Sequence, residues 1–181
     1  MALSVVNADL PREHAPLEWA AVQFAQFEHD EKYHREISRL TVQDRLRHMA
    51  LHFAKYAGRL LEEPADAQFK RIATDALIIA ISSANTLNVD LAAKAVGGES
   101  SNAPREAFAK RLAIAAGRMA GACERLDHLE DFPFRAVILA EVLAILGACL
   151  DLFDAEGWNA VAEMEERLAP IKAKSIFHGK F

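Results

Sequence analysis

The sequence predicts an all-α fold, a helical bundle made of two tandem helical repeats related by a pseudo-two-fold axis. Three observations point there. Apolar residues recur at the three- and four-residue spacing of amphipathic helices nearly everywhere, and no segment alternates apolar and polar residues between turn residues as a hairpin requires. One stretch rich in turn formers, Gly97-Gly-Glu-Ser-Ser-Asn-Ala-Pro104, divides the chain near its middle. Finally, a short motif of the first half returns in the second.

The first helix is expected from about Pro16 to Arg39, with Leu17, Ala20, Ala21, Phe24 and Phe27 on its core face and the run Glu28 to Lys32 toward solvent; its second half reads as a possible separate piece. Thr41, followed by Asp44, has the chemistry of an N-cap and opens a second helix through about Glu62, stopped by Pro64. Its core stripe is Leu46, Met49, Ala50, Phe53, Ala57, Leu60 and Leu61. The third helix, about Ala65 to Leu87, is apolar on all sides after Asp75, as a central bundle helix must be, and Ser82, Ser83 and Ala84 permit close helix approach. Asn88 and Asp90 break it and cap a short helix, Leu91 to Val96. After the linker, helices are expected at about Pro104 to Leu126, Pro133 to Phe153 and Asn159 to Leu168, the last closed by Pro170 and followed by a basic tail from Ile171 to Phe181. Trp158, after Gly157, is expected to pack that last helix onto the core.

These elements form one domain over residues 1–181, with a first half at about 15–96, a linker at 97–104, a second half at about 104–170 and the tail at 171–181. A chain of 181 residues that is 52% hydrophobic can bury a sizeable core. Its net charge of -5 does not suit a protein that coats nucleic acid or an anionic membrane, which needs clustered positive charge. Cys123 and Cys149 both fall within helical apolar patterns, so buried thiols in a reducing compartment are expected, with the cytoplasm as location. Met1 to Leu10 has no basic start and does not read as a secretory signal. The most apolar run, Ala136 to Leu150, is shorter than the roughly 20 residues of a membrane span and carries Glu141, so it reads as a buried helix.

Tyr56-Ala-Gly-Arg-Leu60 recurs as Ala115-Ala-Gly-Arg-Met119, and each copy is followed by an almost wholly apolar helix holding one acid, Asp75 or Glu141. The lag between copies grows from 59 (118 minus 59) to 66 (141 minus 75), which places additional residues in the second half, expected in its helix-to-helix loop. A helical hairpin cannot bury its apolar face alone; two copies packed face to face can.

This pattern resembles the MazG-like, all-α nucleoside triphosphate pyrophosphohydrolases. The likeness is carried by Ala57-Gly58 in the second helix, by Thr74-Asp75-Ala-Leu-Ile-Ile leading to Ala84-Asn-Thr-Leu-Asn-Val-Asp-Leu91, by Ala140-Glu141-Val-Leu and by the terminal His178-Gly-Lys-Phe181. The resemblance implies a helical bundle and a site for Mg²⁺ and a nucleoside triphosphate, built from Glu-Glu-x-x-Glu on one helix and Glu-x-x-Asp on the next, since hard cations need several carboxylate oxygens. The first set here reads Lys55-Tyr56-Ala-Gly-Arg59, and the second, Ile72-Ala-Thr-Asp75, keeps only the aspartate. In the second half Ala115, Ala116 and Arg118 stand in the first set, and Val137 and Ile138 precede Glu141.

Arg45, His48, His52, Lys55 and Arg59 follow spacings of 3, 4, 3 and 4 and share one helical face, about 140° from the apolar stripe on a 3.6-residue wheel. Such a face is either solvated or a site for phosphate or nucleotide, to which Arg118 is added by its equivalent place in the second half. His48 and His52, with Asp44 or Asp75, are weak candidates for a zinc or iron site, which wants three ligands. Asp75 and Glu141 lie in apolar surroundings, where a carboxylate must find a partner or take up a proton. Pairing of Asp75 with Arg59 and of Glu141 with Arg118 is one expectation; general-base work is the other, which makes Asp75 and Glu141 the catalytic candidates. Lys172, Lys174, His178 and Lys180 of the tail either fray or close over a phosphate, as the resemblance implies.

The expected function is binding of a nucleotide, another phosphate-containing anion or a protein partner, without the family's magnesium-dependent hydrolysis and with no cofactor. The alternative is an active nucleoside triphosphate pyrophosphohydrolase with a rearranged Mg²⁺ site drawing on Asp75 and on Glu62, Glu63 or Glu141. A homodimer is compatible with either; a membrane and nucleic acid are not the expected partners.

Overall fold

The computed structural model describes residues 17–94 and 105–174, in which every regular element is a helix. The expected linker and the tail beyond Lys174 lie outside the described residues.

The first helix is two pieces, α1 (Trp19–Tyr33) and the single turn α2 (Arg35–Ser38), joined at His34, whose backbone leaves the helical region. Its buried face differs from the expected one. Phe24 and Phe27 are 62% and 50% exposed, whereas Gln26 and His29 are buried and Asp30 is half-buried. The polar side turns inward because it supplies what its neighbours lack. Gln23 donates to the Asn85 side chain and the Val89 carbonyl, both at 2.8 Å, and accepts from the Leu91 N–H at 2.9 Å. These bonds satisfy backbone that has left the helix. Residues 91–94 accordingly form a turn in which Asp90 accepts from the Ala92 N–H; the expected short helix from Leu91 is not formed over these residues, and Ala95 and Val96 lie outside the described range.

Thr41 caps α3 (Val42–Leu61), accepting from the Asp44 N–H at 3.2 Å. The expected stripe from Leu46 to Leu60 is buried, joined by Tyr56, while Leu61 faces out. α4 (Asp66–Thr86) runs back beside α3 after the four-residue turn of Glu62–Ala65, and Ala73, Ala76, Ala80, Ile81, Ser83 and Ala84 are fully buried along it. Ser83 approaches α3 closely enough for its hydroxyl to donate to the Met49 sulfur at 3.0 Å. α5 (Arg105–Asp127) and α6 (Phe134–Glu156) make a second antiparallel pair.

Helices α3, α4, α6 and α5 are neighbours in a closed ring around the core, and α1 and α7 (Ala160–Lys174) lie against the outside of α4. The longer spacing from Ala-Gly-Arg to the following acid in the second half is taken up mostly by a helix. Three residues separate Gly58 from the end of α3 (61 minus 58), but ten separate Gly117 from the end of α5 (127 minus 117), whereas the connecting turns differ by only two. α6 is also longer than its apolar run and, at 23 residues, long and apolar enough to reach across a bilayer. Half of that apolar window is buried inside the bundle, and the acids Glu141 and Asp151 pair with Arg118 and Arg111 of α5. Gly157 ends α6 in the left-handed region at φ 67°, and Trp158 then packs edge-on against Phe153. Pro170 does not stop α7. The helix runs one more turn, which seats Ile171 against the core.

Cys123 and Cys149 are buried free thiols, and burial raises the pKa of both.

Candidate functional site

The basic face of α3 borders a cleft, in which Arg45, His48 and His52 are half-buried while Lys55 and Arg59 stay exposed. α1 and α7 rise beside that face from their seats on α4, and together with α2 they wall this cleft of about 330 Å³. α3 contributes Arg45, His48, His52, Lys55 and Arg59; α4 adds Arg71, Asp75 and Ser82; α1 adds Gln26, His29 and Asp30; α7 adds Arg167. Ile37, Ile78, Ile79, Leu168 and Ile171 supply apolar wall.

Positive charge exceeds negative in this space. Arg45, Lys55, Arg59, Arg71 and Arg167 face two carboxylates, Asp30 and Asp75, and both carboxylates are engaged. Asp75 is paired with Arg167, not with Arg59 as expected: Nε stands 2.6 Å from one carboxylate oxygen and a terminal nitrogen donates to the other at 3.2 Å. The reason is reach from the opposite wall, since α7 sets Arg167 over α4 with only 21% of its side chain exposed. Asp30 accepts from Ser82 and from Gln26 Nε2, the latter at 2.7 Å. Among the described residues Arg45, Lys55, Arg59 and Arg71 have no carboxylate within ion-pair distance.

The imidazoles are tuned first by burial and then by neighbouring cationic groups. His52 Nδ1 lies 3.3 Å from the Lys55 ammonium, which can only donate, so Nδ1 is an acceptor and the neutral ring carries its proton on Nε2. That Nε2–H donates to His48 Nε2 at 3.1 Å, and the Tyr56 hydroxyl stands 3.0 Å from His52 Nδ1. Burial, then the Lys55 charge, then His48 bring the His52 pKa down to about 4. Burial and Lys55 also lower that of His48, burial and Arg59 lower that of Lys55, and burial raises that of Tyr56. His29 is brought to about 4, mainly by burial and then by His34 and Lys172, while burial raises that of Asp30 against the hydrogen bonds from Ser82 and Gln26. Lys55 and the three histidines all shift in the direction that sheds positive charge.

The donor set does not fit the magnesium cage implied by the resemblance. Lys55 and Arg59 line the cleft beside Asp75, where such a cage needs acids, and Asp75 itself is committed to Arg167. A cation here would meet unneutralised guanidinium and ammonium groups. His48 and His52 do converge, but among the described residues no group of three His, Cys, Asp or Glu side chains is placed to hold a metal ion.

Of the predicted site residues, the structure brings Arg45, His48, His52, Lys55, Arg59 and Asp75 together. Arg118 and Glu141 stand apart, paired with each other at 3.5 Å on α5 and α6, so Glu141 has no place among the cleft residues. Gln26, His29, Asp30, Arg71, Ser82 and Arg167 were not among the predicted site residues. The spacing of Gln23, Gln26, His29, Asp30 and Tyr33 is a polar helical stripe, a readable signal; Arg167 carries none. Searched against models of protein families, curated proteins and solved structures, the chain matches none.

Proposed function

We propose that this protein binds a small phosphate-bearing anion, in the first instance a nucleotide, in the cleft between α1, α3, α4 and α7, and that it does so without magnesium. The observation that carries this is three cations, Lys55, Arg59 and Arg71, at one end of the cleft, with Arg45 toward the other end beside Asp30, none of them with a carboxylate in ion-pair distance among the described residues. Cationic groups held together at a cost in mutual repulsion are stabilised by an anion that binds them jointly, and guanidinium groups suit phosphate oxygens through paired donors. A volume of about 330 Å³ falls at the small end of ligand pockets and suits a mononucleotide or a smaller phosphoester. The apolar side chains lining the same cleft give the rest of such a ligand a surface to rest on.

The pair α3–α4 and the pair α5–α6 are read as tandem MazG-like repeats, and the reading explains why one half holds the site. In the second half the arginine and the acid of the repeat, Arg118 and Glu141, neutralise each other. In the first half Arg167 takes the acid, which leaves Arg59 to the cleft. Hydrolysis would require carboxylates where Lys55 and Arg59 stand. A protein partner is the second reading, supported by Phe24 and Phe27 on the outward face of α1.

The test is charge reversal. Lys55→Glu and Arg59→Glu are expected to weaken binding of a nucleoside monophosphate, titrated calorimetrically in chelator, by at least about tenfold each, the scale of a two-charge change in a cleft open to solvent. Unchanged affinity in both variants would remove the cationic face from the site.

A further inference from the structure

The cleft has a second end with different chemistry. Along α4, Asp75 and Ser82 are seven residues apart, about 10 Å at 1.5 Å per residue, and they mark the two ends. Around Asp75 stand Lys55, Arg59, Arg71 and Arg167. Around Ser82 stand Gln26, His29 and Asp30.

Gln26 and His29 are only 2% and 3% exposed, yet among the described residues Gln26 Oε1 and both ring nitrogens of His29 have no hydrogen-bond partner. Buried polar groups are ordinarily paired, so side chains of this kind lining a cleft mark where a ligand's own polar groups belong. The type of partner can be read from what remains open. Gln26 spends its Nε2 on Asp30 and keeps a carbonyl acceptor. The neutral His29 offers one acceptor and one donor. The Asp30 oxygens accept one bond each, from Gln26 and Ser82, and keep further lone pairs. Acceptors outnumber donors here. The partner must therefore bring hydrogen-bond donors, and it must be uncharged or nearly so, because Arg45 and His34 stand close enough to Asp30 to disfavour a cation.

We infer that Gln26, His29 and Asp30 form a subsite for a neutral hydroxyl or amino group carried by the same ligand whose phosphate sits among Lys55, Arg59 and Arg71. The ligand class is a phosphate ester with hydroxyl or amino donors remote from the phosphate. This rests on the anion site proposed above and adds the other half of the ligand. Two sources supply such chemistry, the hydroxyls of a sugar phosphate and the exocyclic amine of a nucleotide base.

Calorimetric titration of the full chain in chelator with inorganic phosphate, ribose 5-phosphate, uridine monophosphate and adenosine monophosphate separates them. An ester with donors in reach is expected to bind at least about tenfold tighter than inorganic phosphate, two hydrogen bonds' worth. Gln26→Met and His29→Phe, which keep bulk and remove hydrogen bonding, are expected each to erase about threefold of that advantage and to leave phosphate affinity unchanged. A gain already full with ribose 5-phosphate assigns the sugar hydroxyls; a gain that appears only with adenosine monophosphate assigns the amine. Esters no tighter than phosphate, or an advantage intact in both variants, would overturn the subsite and leave the anion site standing. No binding of phosphate or any ester would overturn the anion site itself, and the subsite with it. The wild-type comparison alone decides the matter should either variant fail to fold.

Discussion

Replacing Asp75 by Asn separates a cationic anion site from a magnesium site by the sign of its effect. Asp75 is the acid that a magnesium site on this face would have to use, and in a metal-dependent enzyme its loss abolishes ligand binding and turnover. Here its side chain is 17% exposed and its charge is spent on Arg167. Asparagine keeps the shape, removes one negative charge from the cleft and releases the Arg167 guanidinium toward the ligand. For a phosphate about 7 Å away and an effective dielectric near 40, between bulk water and a protein surface, the repulsion removed is about 1.2 kcal/mol per unit of ligand charge, roughly an eightfold gain in affinity. The same change weakens the link between α4 and α7, at a cost of about 1–2 kcal/mol in stability because Asn still accepts one hydrogen bond. Calorimetric titration with a nucleoside monophosphate in chelator, beside a thermal melt, reads both quantities. Tighter binding by a less stable protein is expected; lost binding would refute the assignment of Asp75 as a partner for Arg167 and return it to the chemistry.

Three further outcomes follow from the same geometry. Arg167→Leu leaves the half-buried Asp75 carboxylate unpaired and should lower stability by about 2–3 kcal/mol, some 4–12 °C in Tm for a chain of this size, while Asp75→Leu on that background restores most of it; additive losses would show that the pair is not coupled. His29 and His52, both held near 4, bind fewer protons folded than unfolded between about pH 4 and 6.5, so Tm should fall as pH drops through that window. Asp30, shifted the other way, opposes this, but one group against three, His48 being lowered as well, leaves the slope positive, and a Tm flat from pH 6.5 to 4 would contradict the burial of the His29 and His52 rings. Gly157→Ala places a Cβ in open space but at φ 67°, so about 1 kcal/mol should be lost to backbone strain alone, seen as a Tm lower by about 2–4 °C, with no change in ligand affinity.

Much of the fold was legible because its signals are local. The Thr41 cap, the stripe from Leu46 to Leu60 and the all-round apolar α4 each depend on a few neighbouring residues, and each is found where the pattern puts it. α1 misled because its two faces differ little in apolarity. Phe24 and Phe27 are the stronger apolar signal, yet Gln23, Gln26 and Asp30 turn inward to satisfy α4 and the turn after it, a demand made by other parts of the chain. The site divides in the same way. The spacing of Arg45, His48, His52, Lys55 and Arg59 put them on one face, and they share one wall of the cleft. Arg167 was illegible, since nothing in the sequence near it tells that α7 continues past Pro170 and lies over Asp75, 92 residues away.

The most direct measurement is the affinity of the wild-type protein for nucleoside mono- and triphosphates in chelator and again with Mg²⁺ or Mn²⁺, with pyrophosphate release followed in the same samples. A cleft that binds phosphate through Lys55, Arg59 and Arg71 gives saturable binding in chelator, no tightening with metal and no pyrophosphate. Binding seen only with Mg²⁺ or Mn²⁺, accompanied by release of pyrophosphate, would contradict it.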